Sequence, residues 1–344
     1  MSLALFQTVA LAFAGAIVFD WAGSPLPWLL GPLICVAAAR MLGGEMVCPT
    51  PARAMGQWVI GVALGLYFTP QVFSQMGALW WAILINLAWA WLISLTFAIV
   101  LCRAGGLDPV SAFFAGAIGG ASEMTIQSDR QGARVELVAA IHSVRVLIVV
   151  VSLPFVYQVL GLQGLDARTI SIAIVDNQGL IVLAALTVAM GWVFSRFNAP
   201  NAWMLGPMLM TVVLTGSGLT LSGLPEWLIK LGQVFIGMAL GSRFRRESMS
   251  QLRSLTSLVV ASTFALILTA AGFAWMLSVL SGVPVATMVL ATSPGGIAEM
   301  SLTAKLLQLG VPVVTVFHVT RLAFMLMTVG PVYRMLAVRY QWKL

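Results

Sequence analysis

The chain of 344 residues is 60% hydrophobic and only 8% charged, with a formal net charge of +7. A water-soluble fold cannot bury that much apolar surface, so the composition excludes an ordinary soluble globular protein and makes lipid the solvent. Nor does the positive charge mark a nucleic-acid binder, because Arg and Lys are scattered between apolar segments and form no basic stripe.

In chain order the apolar segments run over 3–19, 25–42, 54–70, 77–102, 107–129 and 135–160, then over 178–195, 200–218, 227–242, 254–280, 284–305 and 311–336. Stretches such as Leu79–Leu101 and Leu255–Leu280 exceed the ~20 residues an α-helix needs to cross the hydrocarbon layer. The first segment lacks the basic leader of a signal peptide and has a counterpart inside the chain, so it reads as a retained helix. Cys35, Cys48 and Cys102 stand singly, without metal-ligand spacing, and are assigned no chemistry.

The chain is a duplication. At an offset of 176, Gln57, Ile60, Gly61 and Gly65 fall on Gln233, Ile236, Gly237 and Gly241. Gly119, Gly120, Glu123 and Met124 fall on Gly295, Gly296, Glu299 and Met300, and His142, Arg145 and Tyr157 on His318, Arg321 and Tyr333. One residue shorter, Trp28-Leu-Leu-Gly-Pro32 falls on Trp203-Met-Leu-Gly-Pro207. Residues 1–160 and 178–344 are therefore two membrane repeats joined by a polar linker, 161–177.

The fifth segment of each repeat carries a Gly-Gly pair at its centre, which weakens a helix, and a carboxylate soon after. Cytoplasmic loops should hold the excess of basic residues. If all twelve segments cross, the sixteen loop Arg and Lys split eight against eight; if the Gly-Gly segments are re-entrant, thirteen face one side and only Arg168, Lys230 and Lys305 the other. The second topology is favoured: an all-α membrane protein of about ten transmembrane helices plus two re-entrant segments, with both termini cytoplasmic. An odd number of crossings per repeat inverts one repeat relative to the other, as in many secondary transporters.

Glu123 and Glu299 lie in apolar surroundings, where an ionised carboxylate costs several kcal/mol unless paired, protonated or hydrated. His142 with Arg145, and His318 with Arg321, share a helix face at a spacing of three. The functional reading gives an anionic substrate the helix N-termini at Gly119-Gly120 and Gly295-Gly296, with Ser122, Thr125, Ser301, Arg145 and Arg321 as further ligands. Glu123, Glu299, His142 and His318 then hold a sodium ion or carry a proton. The structural reading has each Glu pair with the Arg of its own repeat and fasten the broken segment to the next helix. Gly61 and Gly65, like Gly237 and Gly241, read first as close-packing GxxxG positions. Gln57 and Gln233 fit interhelical hydrogen bonding at least as well as substrate binding. The Trp-x-Leu-Gly-Pro motifs read as an interfacial ring followed by a helix break at Pro32 and Pro207.

These paired motifs resemble the membrane AbrB-type duplication family over nearly the whole chain. The resemblance implies a plan similar to secondary transporters of citrate and glutamate, and to cation/proton antiporter and bile-acid symporter folds, in a bacterial cytoplasmic (inner) membrane. The expected function is coupled transport of a small carboxylate or amino acid, without enzymatic activity. A cation/proton antiporter is the alternative, and it leaves Arg145 and Arg321 structural. An oxygenase would need more metal ligands than two histidines supply, and a regulator would need an output domain that no loop is long enough to hold. No cofactor is called for beyond Na+ or H+ as coupling ion. The expected partners are the bilayer and a small-molecule substrate, with a homodimer left open and no nucleic acid.

Overall fold

A computed structural model describes residues 3–164 and 175–339; most of the linker, with Arg168, and Lys343 fall outside them. Every regular element among the described residues is a helix. The order is α1 (Leu3–Trp21), α2 (Pro27–Met41), α3 (Thr50–Gly65), α4 (Pro70–Gly77), α5 (Trp80–Arg103), α6 (Pro109–Gly116), α7 (Ala121–Arg130) and α8 (Val135–Val159). The second series is α9 (Asn177–Arg196), α10 (Ala202–Gly216), α11 (Glu226–Gly241), α12 (Arg246–Leu252), α13 (Thr256–Ser281), α14 (Val285–Thr292), α15 (Ile297–Leu306) and α16 (Val311–Arg339).

Six helices, α1, α5, α8, α9, α13 and α16, are long and apolar enough to cross a membrane. The protein is thus a multi-pass helical membrane protein. Of these six, α8 and α16 are the most buried and α1 and α9 the least. Rings and branched side chains such as Trp192, Leu268 and Trp275 stand fully outward, as a lipid-facing surface requires. Each fifth apolar segment is two short helices, α6 and α7 or α14 and α15, flanking the Gly-Gly pair. The short helices α4 and α12 occupy equivalent places and are additions to the expected pattern; α4 bends 83° from α3.

Pro32 and Pro207 do not break their helices, contrary to expectation: α2 and α10 run through them. Proline normally drives the preceding residue out of helical geometry through a clash with its Cβ. Gly31 and Gly206 have none. The start of each helix is set five or six residues earlier, at Leu26 and Asn201, both in the left-handed region with φ of 47°.

The helices gather into two compact units, and each unit takes pieces of both sequence repeats. The first unit consists of Met1–Ala78, Pro154–Ser242 and Ser301–Pro312. In it α1 packs on α2 and α9 on α10, while α2 packs on α11 as α3 packs on α10. The glycines fix these contacts. A Cβ on Gly61 would strike the Met204 carbonyl, and one on Gly65 would lie 2.6 Å from Thr211 Cβ. Likewise Gly237 abuts the Leu29 carbonyl, and a Cβ on Gly241 would lie 2.7 Å from the Leu33 carbonyl. The GxxxG positions are therefore packing sites, and both pairs run parallel, 61 to 65 along 204 to 211 and 237 to 241 along 29 to 37. Between α3 and α11 the sense is antiparallel, with Gly56 against Phe235 and Ile236, and Gly232 against Val59 and Ile60. Gly61→Leu or Gly237→Leu, which must push two backbones apart, is expected to cost about 1–3 kcal/mol, read as a lowered midpoint of thermal unfolding in detergent.

The second unit consists of Leu79–Leu153, Arg243–Met300 and Val313–Leu344. There α5 and α13 pack antiparallel: Trp89 stacks on Phe273 at 4.4 Å between centroids, and Gly105 lies against Leu255 and Leu258. Its core includes Phe97, Phe113, Phe114 and Tyr333, with Phe114 5.2 Å from both Phe113 and Tyr333 between ring centroids.

Candidate functional site

Of the thirteen residues that the sequence singles out, twelve lie in the second unit; Ser301 falls one residue beyond it, where α15 passes into the first. Residues more than 150 positions apart in sequence are thus collected in one body, around the two broken segments.

In the first break, α6 ends at Gly116, the chain turns extended at Ala117, and α7 restarts after Gly120. Gly120 has φ +93°, a conformation that costs a side-chain-bearing residue and costs glycine little. In the second break, α14 ends at Thr292, Ser293 is extended, and α15 restarts after Gly296. Here glycine provides room. A Cβ on Gly295 would lie 2.7 Å from Met300 Cγ, and one on Gly296 would collide with the carboxylate of Glu299, which folds back over the start of its own helix. Glu299 is the third residue of α15, the place from which a carboxylate meets free N–H groups and the positive end of the helix dipole.

The carbonyls at the ends of α6 and α14 have no intrahelical partners. Arg145 Nη1 donates to the Ala115 and Gly116 oxygens at 3.3 and 3.4 Å, and Nη2 to Ala117 O at 3.3 Å. Arg321 does the same for the second break, Nη1 to Ser293 O at 2.6 Å and Nη2 to Gly295 O at 2.8 Å. Each guanidinium therefore caps the negative end of a half-helix. The histidines complete both clamps. Arg145 Nη2 and Arg321 Nη2 lie 2.8 Å from Nδ1 of His142 and His318. Since arginine has only donors, each Nδ1 accepts, and each Nε2–H donates to a carbonyl, Phe114 O at 3.0 Å or Leu290 O at 2.9 Å. Both imidazoles are held as the neutral Nε2–H tautomer, wedged between a cation and a carbonyl.

The two breaks meet at α16. Its Arg321 clamps the second break, while Leu322 and Met325, on the following turn, pack against Gly120 and Gly119 of the first. Ser94 of α5 accepts from Ile118 N at 3.1 Å, and the ring of Phe97 lies 5.8 Å from the Arg145 guanidinium.

The breaks differ in closure. Glu299, Ser301, His318 and Arg321 are all buried. Around the first break His142 and Arg145 are buried, but Ser122, Glu123 and Thr125 are half-buried. Thr125 Oγ1 donates to Ala121 O at 2.7 Å, closing on its own helix. One residue the sequence reading missed is Arg243, counted only as a loop charge: its Nη2 donates to Ser122 Oγ at 3.2 Å. A signal was present, since Arg243 interrupts the duplication, with Tyr67 at the equivalent position. Gln57, in the first unit, is an interhelical link, donating through Nε2 to Asn201 Oδ1 at 3.2 Å.

Comparison with known proteins bears on this arrangement. The family described as transition state regulatory protein AbrB matches residues 28–337. The chain belongs to this family. An AbrB-family relative from Bacillus subtilis (strain 168), designated YhjN and without a characterised role, is 27% identical across 95% of this chain and 92% of its own length. A second, from Escherichia coli (strain K12), provisionally named regulator AbrB, is 29% identical across 89% of this chain and 88% of its own. The family match spans both broken segments and both His-x-x-Arg clamps, and each relative matches most of this AbrB-family chain, so the whole architecture, and not one domain of it, is the unit of similarity.

Proposed function

We propose that this AbrB-family protein is a secondary active transporter that moves a small organic anion, a carboxylate or amino acid, across a bacterial cytoplasmic membrane, coupled to protons or sodium. The observation that carries the reading is the pair of equivalent helix breaks, each clamped by a His-x-x-Arg pair and both seated on α16. Irregular backbone at membrane depth is costly and is retained where it lines a polar path.

Ten crossings with re-entrant Gly-Gly segments fit the packing senses. From α3 to α10 the chain traverses α3, α5, α8 and α9, so the parallel packing of α3 on α10 supports a first broken segment that leaves by the face it entered. The antiparallel pairs α3–α11 and α5–α13 support the same. Helices α6 and α7, of 8 and 10 residues, reach ~12 and ~15 Å, about half the hydrocarbon thickness. Antiparallel packing of equivalent helices also supports inverted repeats, and the excess of loop Arg on one face supports cytoplasmic termini. The mechanism we propose is alternating access between the two inverted repeats.

A cation/proton antiporter is the second reading, favoured by the Glu299 carboxylate over Gly296, which already fills the α15 N-terminus with the protein's own anion. In both readings the protein is a carrier and not an enzyme, and the regulatory wording attached to the family describes no chemistry of this site. Uptake of labelled carboxylates and amino acids into proteoliposomes under proton or sodium gradients tests the choice. Accumulation above empty vesicles, reduced in Glu123→Gln, is the expected result. Dissipation of a pH or sodium gradient with no anion moved would leave the antiporter.

A further inference from the structure

Helix α5 turns one continuous face inward. Ala82, Asn86, Ala90, Phe97 and Leu101 are buried at helical spacing, and Ser94 on the same face accepts from Ile118 N of the first break. Asn86 is 1% exposed, and neither its Nδ2 nor its Oδ1 has a hydrogen-bond partner among the described residues. Since both atoms are unpartnered, turning the amide over changes nothing. One turn further on, the indole Nε1 of Trp89 is likewise buried and without a partner among the described residues.

Trp89 fixes where this face lies. Its ring stacks on Phe273 of α13, 4.4 Å between centroids and 10° between planes. Residues three apart share a helix face, with Cβ atoms ~5–6 Å apart, so Asn86 lies on the same antiparallel seam. Just past Phe273 the buried residues of α13, Ala274 and Leu277, bring only apolar side chains. Nor does the duplication dictate the pair. At the 176-residue offset that sets Phe97 on Phe273, Trp89 falls on Ala265 and Asn86 on Ser262, whose hydroxyl donates to Leu258 O of its own helix.

An amide and an indole N–H buried at membrane depth are costly unless something completes them. Together they offer three N–H donors and one carbonyl acceptor. The set carries no charge, which favours water over an ion, and a buried water needs two to four such partners. We propose that Asn86 and Trp89 form a hydration site on the α5–α13 seam, holding about one or two water molecules. Ser94 and the first break lie eight residues along the same face, ~12 Å away. On the transporter reading α5 enters the membrane from the non-cytoplasmic side, so the site wets the outer half of the route to that break. This role in transport rests on that reading; the hydration does not.

Trp91 is the internal control, a half-buried indole on the same helix whose Nε1 donates to Thr328 Oγ1 at 3.0 Å. Purified protein in detergent is given a pulse of hydroxyl radicals by radiolysis of water, which oxidises side chains beside bound water, and each tryptophan is read by mass spectrometry. Trp89 is expected to be oxidised roughly threefold faster than Trp91. Asn86→Leu, which replaces the amide with methyl groups, should bring Trp89 down to the Trp91 rate. Equal rates for the two tryptophans in the unsubstituted protein overturn the proposal, and this comparison requires no variant to fold. A Trp89 rate unchanged in folded Asn86→Leu overturns it as well. If Trp89 is wetted but neither an anion nor a gradient moves in proteoliposomes, the transporter reading fails and the hydration site remains. If transport is found while the two tryptophans are oxidised alike, the site falls and the transporter reading stands.

Discussion

Arg321→Met is expected to destabilise the detergent-solubilised protein by about 3–5 kcal/mol, the cost of breaking a buried charged network, because three buried acceptors lose their charged donor together. Those acceptors are Ser293 O, Gly295 O and His318 Nδ1. Methionine fills the volume without replacing a single bond. Arg145→Met should cost less, about 1–3 kcal/mol, since its carbonyl bonds are 3.3–3.4 Å long and its Nε has no hydrogen-bond partner among the described residues. Denaturant titration of both variants checks the order. Equal losses would mean that the two clamps carry the same load, and that the difference in bond lengths has no energetic content.

Glu299→Gln is expected to abolish gradient-driven accumulation, a loss of roughly 10- to 100-fold, while the protein stays folded. Glutamine at the third helical position still reaches back to the cap as glutamate does, so the fastening of the break survives and only the charge is removed. That separation makes the variant informative. If Glu299 were a structural fastener, Gln would preserve transport and Glu299→Leu would lose both transport and stability. If its charge is the coupling group, Gln loses transport alone. Uptake and thermal unfolding measured on the same preparations distinguish the two.

The neutral tautomers of His142 and His318 narrow the choice of proton carrier. A proton added at Nδ1 would face a guanidinium nitrogen 2.8 Å away, and one is already committed at Nε2. On the transporter reading proposed above, the histidines orient the clamps and the carboxylates are the candidates to carry charge. The sequence had offered both as titrating candidates, because a spacing of three says that His and Arg share a face but not what they bond.

Much of the architecture was legible in the sequence. The composition specified lipid as the solvent, and the periodic apolar segments placed every long helix to within a few residues. The 176-residue offset by itself pairs the Gly-Gly breaks, the carboxylates and the His-x-x-Arg motifs. These features are local or repetitive: a helix satisfies its own backbone, so its existence depends only on the residues within it. What the sequence missed depends on partners far along the chain. The donors of Arg145 and Arg321 go to carbonyls 26–30 residues away, and Arg243 reaches Ser122 across 121 residues. The continuity of α2 and α10 through proline is set by the glycine before it. The tertiary structure alone decided that the repeats interleave into two units instead of forming one body each, because the glycines of α3 and α11 let these helices pack closely on α10 and α2 of the other repeat.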